Sequence, residues 1–350
     1  MTSDNHTQDW SGAEELLASV AGWRRAAVVF AANRLDLFSA LRDGPAAATA
    51  VAERLGSDPR ATRLLLDALV GLELLEKSMA PPASSSGRPG EREPVYSLTE
   101  AARDALLPDA PHSITGSLRH QERLYARWAH IAEAVRHGRP VPQSGAERDE
   151  AQTREFVVAM ADTAKRSAPR LLKLVDVSRR RRFLDLGGAP GVYAAAFCRA
   201  VPELRATVFD LPKAVAVARD YLQDVDVRDR IELEAGDLFD DPLPRGHDLA
   251  LLSNVLHIFP EDAGAGLVRK VWEALQPGGQ ILVKDFRLEE DRTRPASAAL
   301  FSINMLLATE GGRAYTLSEM TSWLDAAGFR DLAVHRLTER SVVLEGFKRE

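Results

Sequence analysis

The chain has a single cysteine, Cys198, in 350 residues. That excludes an intramolecular disulfide framework and a multi-cysteine zinc site, and it fits a reducing compartment. The sequence also lacks any run of the ~20 apolar residues that a membrane span takes; the longest apolar stretch near the N-terminus is Ala26 to Ala32. The first ten residues are polar, without a basic segment followed by an apolar one, so the expectation is a cytoplasmic protein with no membrane partner. An excess of positive charge is missing too. Lys and Arg number 45 against 51 Asp and Glu, a net charge of −6, which argues against a chain-wide nucleic-acid or anionic-membrane binder. No Gly-Lys-[Ser/Thr] phosphate loop occurs, which argues against a P-loop triphosphate site. What is present is a chain with 45% hydrophobic and 27% charged residues. It can bury a sizeable core, and its length favours two domains or one large domain with an extension.

The first hundred residues read as helical. Leu16, Leu17, Val20, Trp23, Ala27 and Phe30 follow one helical face. A short helix over Asp36 to Leu41 stops at Gly44-Pro45, and another over Thr49 to Leu55 ends at Gly56. A further helix starts at Asp58-Pro59, with Asp as cap and Pro in the first turn. Leu72 to Lys77 and Val95 to Leu98, on either side of a Ser-, Pro- and Gly-rich loop at 78–90, suggest a hairpin. This order is a winged-helix pattern, which can serve DNA binding or packing. Residues 1–110 carry 11 Lys and Arg against 16 Asp and Glu, a balance of −5. DNA affinity needs clustered cations, so the pattern is read as a packing or dimerisation module.

Residues 106–178 continue as helices, with a Gly/Pro loop at 137–145. The Arg179–Arg182 run then reads as a solvated lead into a buried strand. From Phe183 short apolar runs alternate with helical segments: Phe183–Leu186, Ala206–Phe209, Ile231–Glu234, Leu249–Leu252 and Gln280–Val283, with Val334–Leu337 and Val342–Phe347 last. Strands alternating with helices imply a parallel α/β sheet. The expected organisation is a winged-helix-like domain over 1–105, a helical linker over 106–178 and a Rossmann-like α/β domain over 179–350.

The segment from Leu184 to Gly191 carries Gly187 and Gly188 between a strand and a helix, where glycine lets the backbone turn and approach a ligand. Such a loop suits NAD, a nucleotide, S-adenosyl-L-methionine (SAM), or a plain tight turn. Asp210, with Leu211 beside it, ends the second strand 25 residues past Asp185, where an acid hydrogen-bonds a ribose diol. Asp237 and Leu238 follow the third strand and suit an adenine edge and face. Asp185 opens the loop and no Arg follows the glycines before Arg199. An acidic mouth suits the cationic SAM better than a pyrophosphate.

The Gly187 loop, Phe209-Asp210-Leu211-Pro212, Gly236-Asp237-Leu238-Phe239, Val255-Leu256-His257, Pro277-Gly278-Gly279 and Ala327-Gly328-Phe329 occur in an order and spacing that resembles the SAM-dependent O-methyltransferases of the plant caffeate and bacterial polyketide-tailoring type. The resemblance covers nearly the whole chain. It implies a homodimer built through the winged-helix-like domain, and SAM as cofactor. It implies that Gly187 and Gly188 cradle the methionine part, that Asp210 binds the ribose, and that Asp237 and Leu238 hold the adenine. His257 would be the general base for a hydroxyl of a small aromatic or polyketide acceptor.

Several positions depart from the family pattern. Ile258 and Phe259 follow His257 where the family usually has Asp and Trp. Ser253 stands where a cofactor-contacting Lys is common. Asp285 is a shortened counterpart of the Glu that orients the histidine. Ala314 stands where a second supporting Glu falls. Phe156, Met160, Met305, Leu306, Thr309 and Tyr315 are the expected pocket walls, and Phe259 and Phe286 are read as stacking near the cofactor or as core. No histidine stands at ligand spacing to His257, so no metal is assigned. The alternatives are a C- or N-methyltransferase, a SAM-binding non-methylating enzyme and a DNA-binding regulator. Cys198, in the helix after the Gly loop, reads as core.

Overall fold

A computed structural model of the chain describes residues 11–79, 93–141 and 150–349. Most of the loop expected at 78–90, and residues 142–145 of the one expected at 137–145, fall outside them. The chain divides into two compact units, 1–122 and 123–350.

The first unit contains helices α1 (Ser11–Val20), α2 (Trp23–Arg34) and α3 (Leu37–Ala40), the short strand β1 (Ala46–Ala47), helices α4 (Ala48–Leu55) and α5 (Pro59–Gly71), strands β2 (Leu75–Met79) and β3 (Pro94–Leu98), and helix α6 (Glu100–Leu106). The single helix expected from Leu16 to Phe30 is two. At Gly22, a poor helix former, the bonding tightens to i→i+3: the Gly22 amide reaches Ser19 O at 3.1 Å and the Arg25 amide reaches Gly22 O at 3.2 Å. Helix α5 begins as expected, with the Asp58 carboxylate accepting the Ala61 amide at 2.8 Å, a cap worth about 1 kcal/mol. The strands pair antiparallel in the order β1-β3-β2. Tyr96 of β3 lies under them in a core of Leu37, Phe38, Leu41, Val51, Leu66 and Leu69.

Helix α7 (Thr115–Trp128) crosses into the second unit. That unit continues through helices α8 (Ile131–His137) and α9 (Glu150–Leu171), then β4 (Arg182–Leu186), α10 (Val192–Ala200), β5 (Arg205–Asp210), α11 (Pro212–Tyr221), β6 (Ile231–Ala235) and β7 (His247–Ser253). It closes with α12 (Glu261–Ala274), β8 (Leu275–Phe286), α13 (Ala296–Leu306), α14 (Leu317–Ala327), β9 (Phe329–Arg336) and β10 (Ser341–Lys348). The sheet order is β6-β5-β4-β7-β8-β10-β9. Five strands are parallel, as expected, while β10 runs antiparallel to both neighbours. Strands β9 and β10 are joined by a short turn instead of a crossover helix, and a hairpin can only be antiparallel.

The central strands are buried on both faces, which is why they read as unbroken apolar runs. One face packs Phe183, Leu249, Leu251 and Leu282 against α9 and α10. The other packs Leu184, Leu186, Ala250, Leu252, Ile281 and Val283 against α12 and α14. Because Ala164, Ala168 and Leu171 of α9 belong to the first of these cores, α9 is part of the sheet unit. The chain therefore divides near residue 122 and not near 178. Arg180 at that expected boundary is tied down, donating to Gln280 Oε1 at 2.8 Å and to the Gly278 carbonyl at 3.0 Å.

Candidate active site

Strand β4 neighbours β5 on one side and β7 on the other. The winding reverses there, and ligands of open α/β sheets bind at the carboxyl ends beside such a switch point. Gly187 follows β4 with φ +63, its amide bonded to Phe209 O at 2.8 Å. A Cβ on Gly188 would lie 2.3 Å from the Asp185 carboxyl carbon, so only glycine fits above that acid. Asp185 is fully buried, and neither carboxylate oxygen has a hydrogen-bond partner. Burial pushes its pKa well above the carboxylate range and the Asp210 charge adds to it; the Ala194 amide, outside hydrogen-bond geometry, opposes the shift. A buried carboxylate without a partner is unfavourable unless a cation or donor joins it.

Asp210 accepts the Ala189 amide at 3.0 Å and the Leu211 amide at 2.8 Å. Burial raises its pKa against those two bonds. Asp237 closes an Asx turn, its Oδ1 accepting the amides of Phe239 at 2.8 Å and Asp240 at 3.3 Å. Its own amide donates to Asp241 Oδ2 at 2.8 Å. Leu238 approaches the Cβ position of Gly187 within 4.0 Å. Behind this loop the Lys270 ammonium of α12 donates to the carbonyls of Leu238, Phe239 and Asp241 at 2.8, 2.8 and 2.5 Å. Three adjacent strand ends, ~4.8 Å apart, thus line up an unpaired carboxylate over a bare glycine floor, a second carboxylate and an apolar turn. This set fits the ammonium, ribose and adenine of SAM.

His257 sits in the one-turn 3-10 helix Leu256–Ile258 after β7. Both it and Asp285, at the end of β8, are buried. Asp285 shares a sheet face with Ile281 and Val283, which brings its carboxylate under the turn. His257 Nδ1–H donates to Asp285 Oδ1 at 2.6 Å, and the same oxygen accepts the Phe286 amide at 2.7 Å. That bond fixes the tautomer and leaves Nε2 as an acceptor. Phe301 meets the imidazole edge-to-face at 4.7 Å and stacks on Phe286 at 3.7 Å. Ala314 is buried behind these rings with Leu288 and Ala298.

The positions around Ser253 form a tie between the two strands that carry the dyad. Ser253 pairs in register with Lys284; nearby, the Tyr193 hydroxyl meets Ser167 Oγ at 2.6 Å. The Lys284 ammonium donates to Asn254 Oδ1 at 2.9 Å, and the Asn254 amide returns to Lys284 O at 2.8 Å. Burial lowers the Lys284 pKa to about 8, partly offset by the charge of Asp285.

The expected pocket walls are not gathered in one surface. Phe156 packs with Val157, Ala214, Val217 and Ala189, next to the Gly loop; Met160 lies one helical turn on, half-buried. Met305 is buried. The Thr309 hydroxyl is engaged, donating to Met305 O at 2.9 Å and accepting the Gly312 amide at 3.2 Å. Tyr315 is in the core beside Trp323. Lys270 was not visible to sequence reasoning, because a single helical lysine gives no signal. Cys198 is core, and burial lifts its thiol to about 11.

An O-methyltransferase domain matches residues 128–330 and an O-methyltransferase dimerisation domain matches 17–107. The chain belongs to the O-methyltransferase family. It is 34% identical over 338 residues to the tetracenomycin polyketide synthesis 8-O-methyl transferase of Streptomyces glaucescens, covering 95% of each chain. It is 35% identical over 312 residues to the 3-hydroxy-5-methyl-1-naphthoate 3-O-methyltransferase of Streptomyces sahachiroi, covering 87% of this chain and 86% of that one. The solved structure of human N-acetylserotonin methyltransferase in complex with SAM superposes with a TM-score of 0.86 at 30% identity, over 100% of both chains. This O-methyltransferase therefore has a Rossmann-like sheet and uses SAM as its cofactor.

Proposed function

We propose that this O-methyltransferase transfers the methyl group to a hydroxyl of a fused-ring aromatic or polyketide acceptor, with His257 as general base and Asp285 as its orienting acid. The observation that carries the reading is the buried His257–Asp285 bond at 2.6 Å beside the glycine loop, with Nε2 left free to accept a proton. SAM supplies the electrophilic methyl, so the chain's work is positioning and proton management. Gly187 and Gly188, with Asp185 beneath them, would hold the methionine part, Asp210 the ribose hydroxyls, and Asp237 with Leu238 the adenine. His257 takes the proton as the new C–O bond forms. The stacked Phe286–Phe301 pair gives this corner an aromatic wall; one bacterial relative is named for a naphthoate acceptor and the other for tetracenomycin polyketide synthesis. His257→Ala should lower kcat about 10²–10⁴-fold with SAM affinity kept. Full turnover in that variant would end the general-base assignment.

The same reading takes the first unit as the homodimer contact. Helix α1 has no buried residue, and Leu16, Leu17 and Val20 stand 66%, 69% and 63% exposed. An apolar face of that kind marks an association surface, and the dimerisation-domain match begins within this helix, at residue 17.

A further inference from the structure

Asp285 holds the ring of His257, and the segment 311–316 holds its backbone. A Cβ on Gly312 would lie 2.5 Å from the His257 carbonyl oxygen and 2.6 Å from that of Ile258; one on Gly311 would lie 3.0 Å from Pro260 Cβ. The Tyr315 hydroxyl donates to the Phe259 carbonyl at 2.6 Å. Arg313 donates to Glu261 at 3.0 Å. Residues 257–261 are thus gripped one after another by 311–315. The grip is itself anchored. The Tyr315 ring lies edge-on to Trp323 at 4.6 Å and under the Arg313 guanidinium at 4.3 Å. Arg313 also holds Glu319 through two bonds of 2.8 and 3.0 Å, and Glu319 closes the capping box of α14 with Thr316.

We infer that Tyr315 is a positioning residue for His257: its hydroxyl fixes the turn that aims Nε2 at the acceptor hydroxyl, and it does not line the acceptor pocket. Tyr315 is 2% exposed, and its hydroxyl is committed to the backbone, so it has no surface for an acceptor. The three carbonyls in contact belong to the histidine and the two residues after it. A shift of the turn displaces the base directly, and about 1 Å of misplacement is enough to slow a reaction by up to ~10²-fold. The inference rests on His257 being the base.

The test is steady-state kinetics of Tyr315→Phe, which removes one oxygen and keeps the ring. The expected result is a kcat about 5- to 20-fold lower, with acceptor KM and SAM affinity within about twofold. In a His257→Ala background the same change should do nothing further, because a positioning residue acts through the group it positions. Gly312→Ala, which drives a methyl against the same carbonyls, serves as second variant and should give the same split. An unchanged kcat in both variants overturns the inference. So does a raised acceptor KM at constant kcat, which returns Tyr315 to the pocket wall. An equal loss in the His257→Ala background, the mark of a general packing defect, overturns it too. Undiminished turnover of His257→Ala alone would instead sink the base assignment, and is read separately.

Discussion

A histidine works as a base when one nitrogen is committed and the other is free. His257 meets that condition through one carboxylate, and Asp285→Asn, which keeps the shape but favours the wrong tautomer, should lower kcat by about two orders of magnitude. The sequence pointed to both residues, since each follows an unbroken apolar strand and falls at a motif position. It did not show what replaces the second carboxylate. Ala314 reads there as a plain loss, whereas in space it belongs to the cluster that Phe286 and Phe301 pack against, and Phe301 meets the imidazole. Contacts between residues so distant in the chain leave no periodic trace. Asp185 is the other residue whose environment decides its behaviour. Its folded pKa lies above the ordinary value of 3.8, so its contribution to stability is present below about pH 4 and is lost as pH rises through the folded pKa. The melting temperature of the ligand-free protein, compared with Asp185→Asn, should fall behind increasingly as pH rises, while the variant binds SAM weakly. Equal pH profiles would remove the unpaired carboxylate from the account.

At the scale of elements, strands and caps were legible because local rules govern them. Asp58 caps α5, Gly56 ends α4 in the left-handed region, and all seven expected runs became strands of one sheet. The elements that escaped are those decided by partners. The Asp237–Asp241 turn is shaped by its own carboxylates but held by an ammonium from α12. Lys270→Met should therefore weaken SAM binding about tenfold by calorimetry, with Lys270→Arg recovering part of it, since charge-assisted bonds to carbonyls are the stronger kind; unchanged affinity would free the turn from that anchor. The start of α14 makes a pH prediction. Burial alone would raise Glu319, but the Arg313 bond, the Thr316 amide and the charges of Arg313 and Arg292 outweigh it and hold the pKa at about 2, below the ordinary 4.5. That stabilisation is complete above about pH 4.5 and disappears as pH falls toward 2. Glu319→Gln should flatten this part of the acid-unfolding curve.

For the whole molecule, composition alone already separated a packing module from a catalytic one. The acidic balance of residues 1–110 led to the reading of the first unit as a packing or dimerisation module, and a dimerisation-domain model matches residues 17–107. The boundary was harder to place, because α9 looks like linker in sequence. Only its small residues Ala164 and Ala168, lying against the sheet, show where it belongs. The proposed homodimer makes the prediction at this scale. Leu16→Glu combined with Val20→Glu should give a monomer in sedimentation velocity, since like charges facing each other across a two-fold contact are doubled. A dimer that persists would place the contact elsewhere on the first unit.

The partnerless carboxylate under Gly188 reaches beyond binding. A chain that folds around an unpartnered buried acid and binds a ligand there is more stable when that ligand is present, by an amount that grows with ligand concentration. Proteases in the cell act on the opened fraction. Scarcity of the methyl donor would then do two things to this enzyme: slow each turnover, and shorten the life of every molecule waiting for one. The amount of catalyst would follow the supply of its own reagent, without any regulator to read that supply.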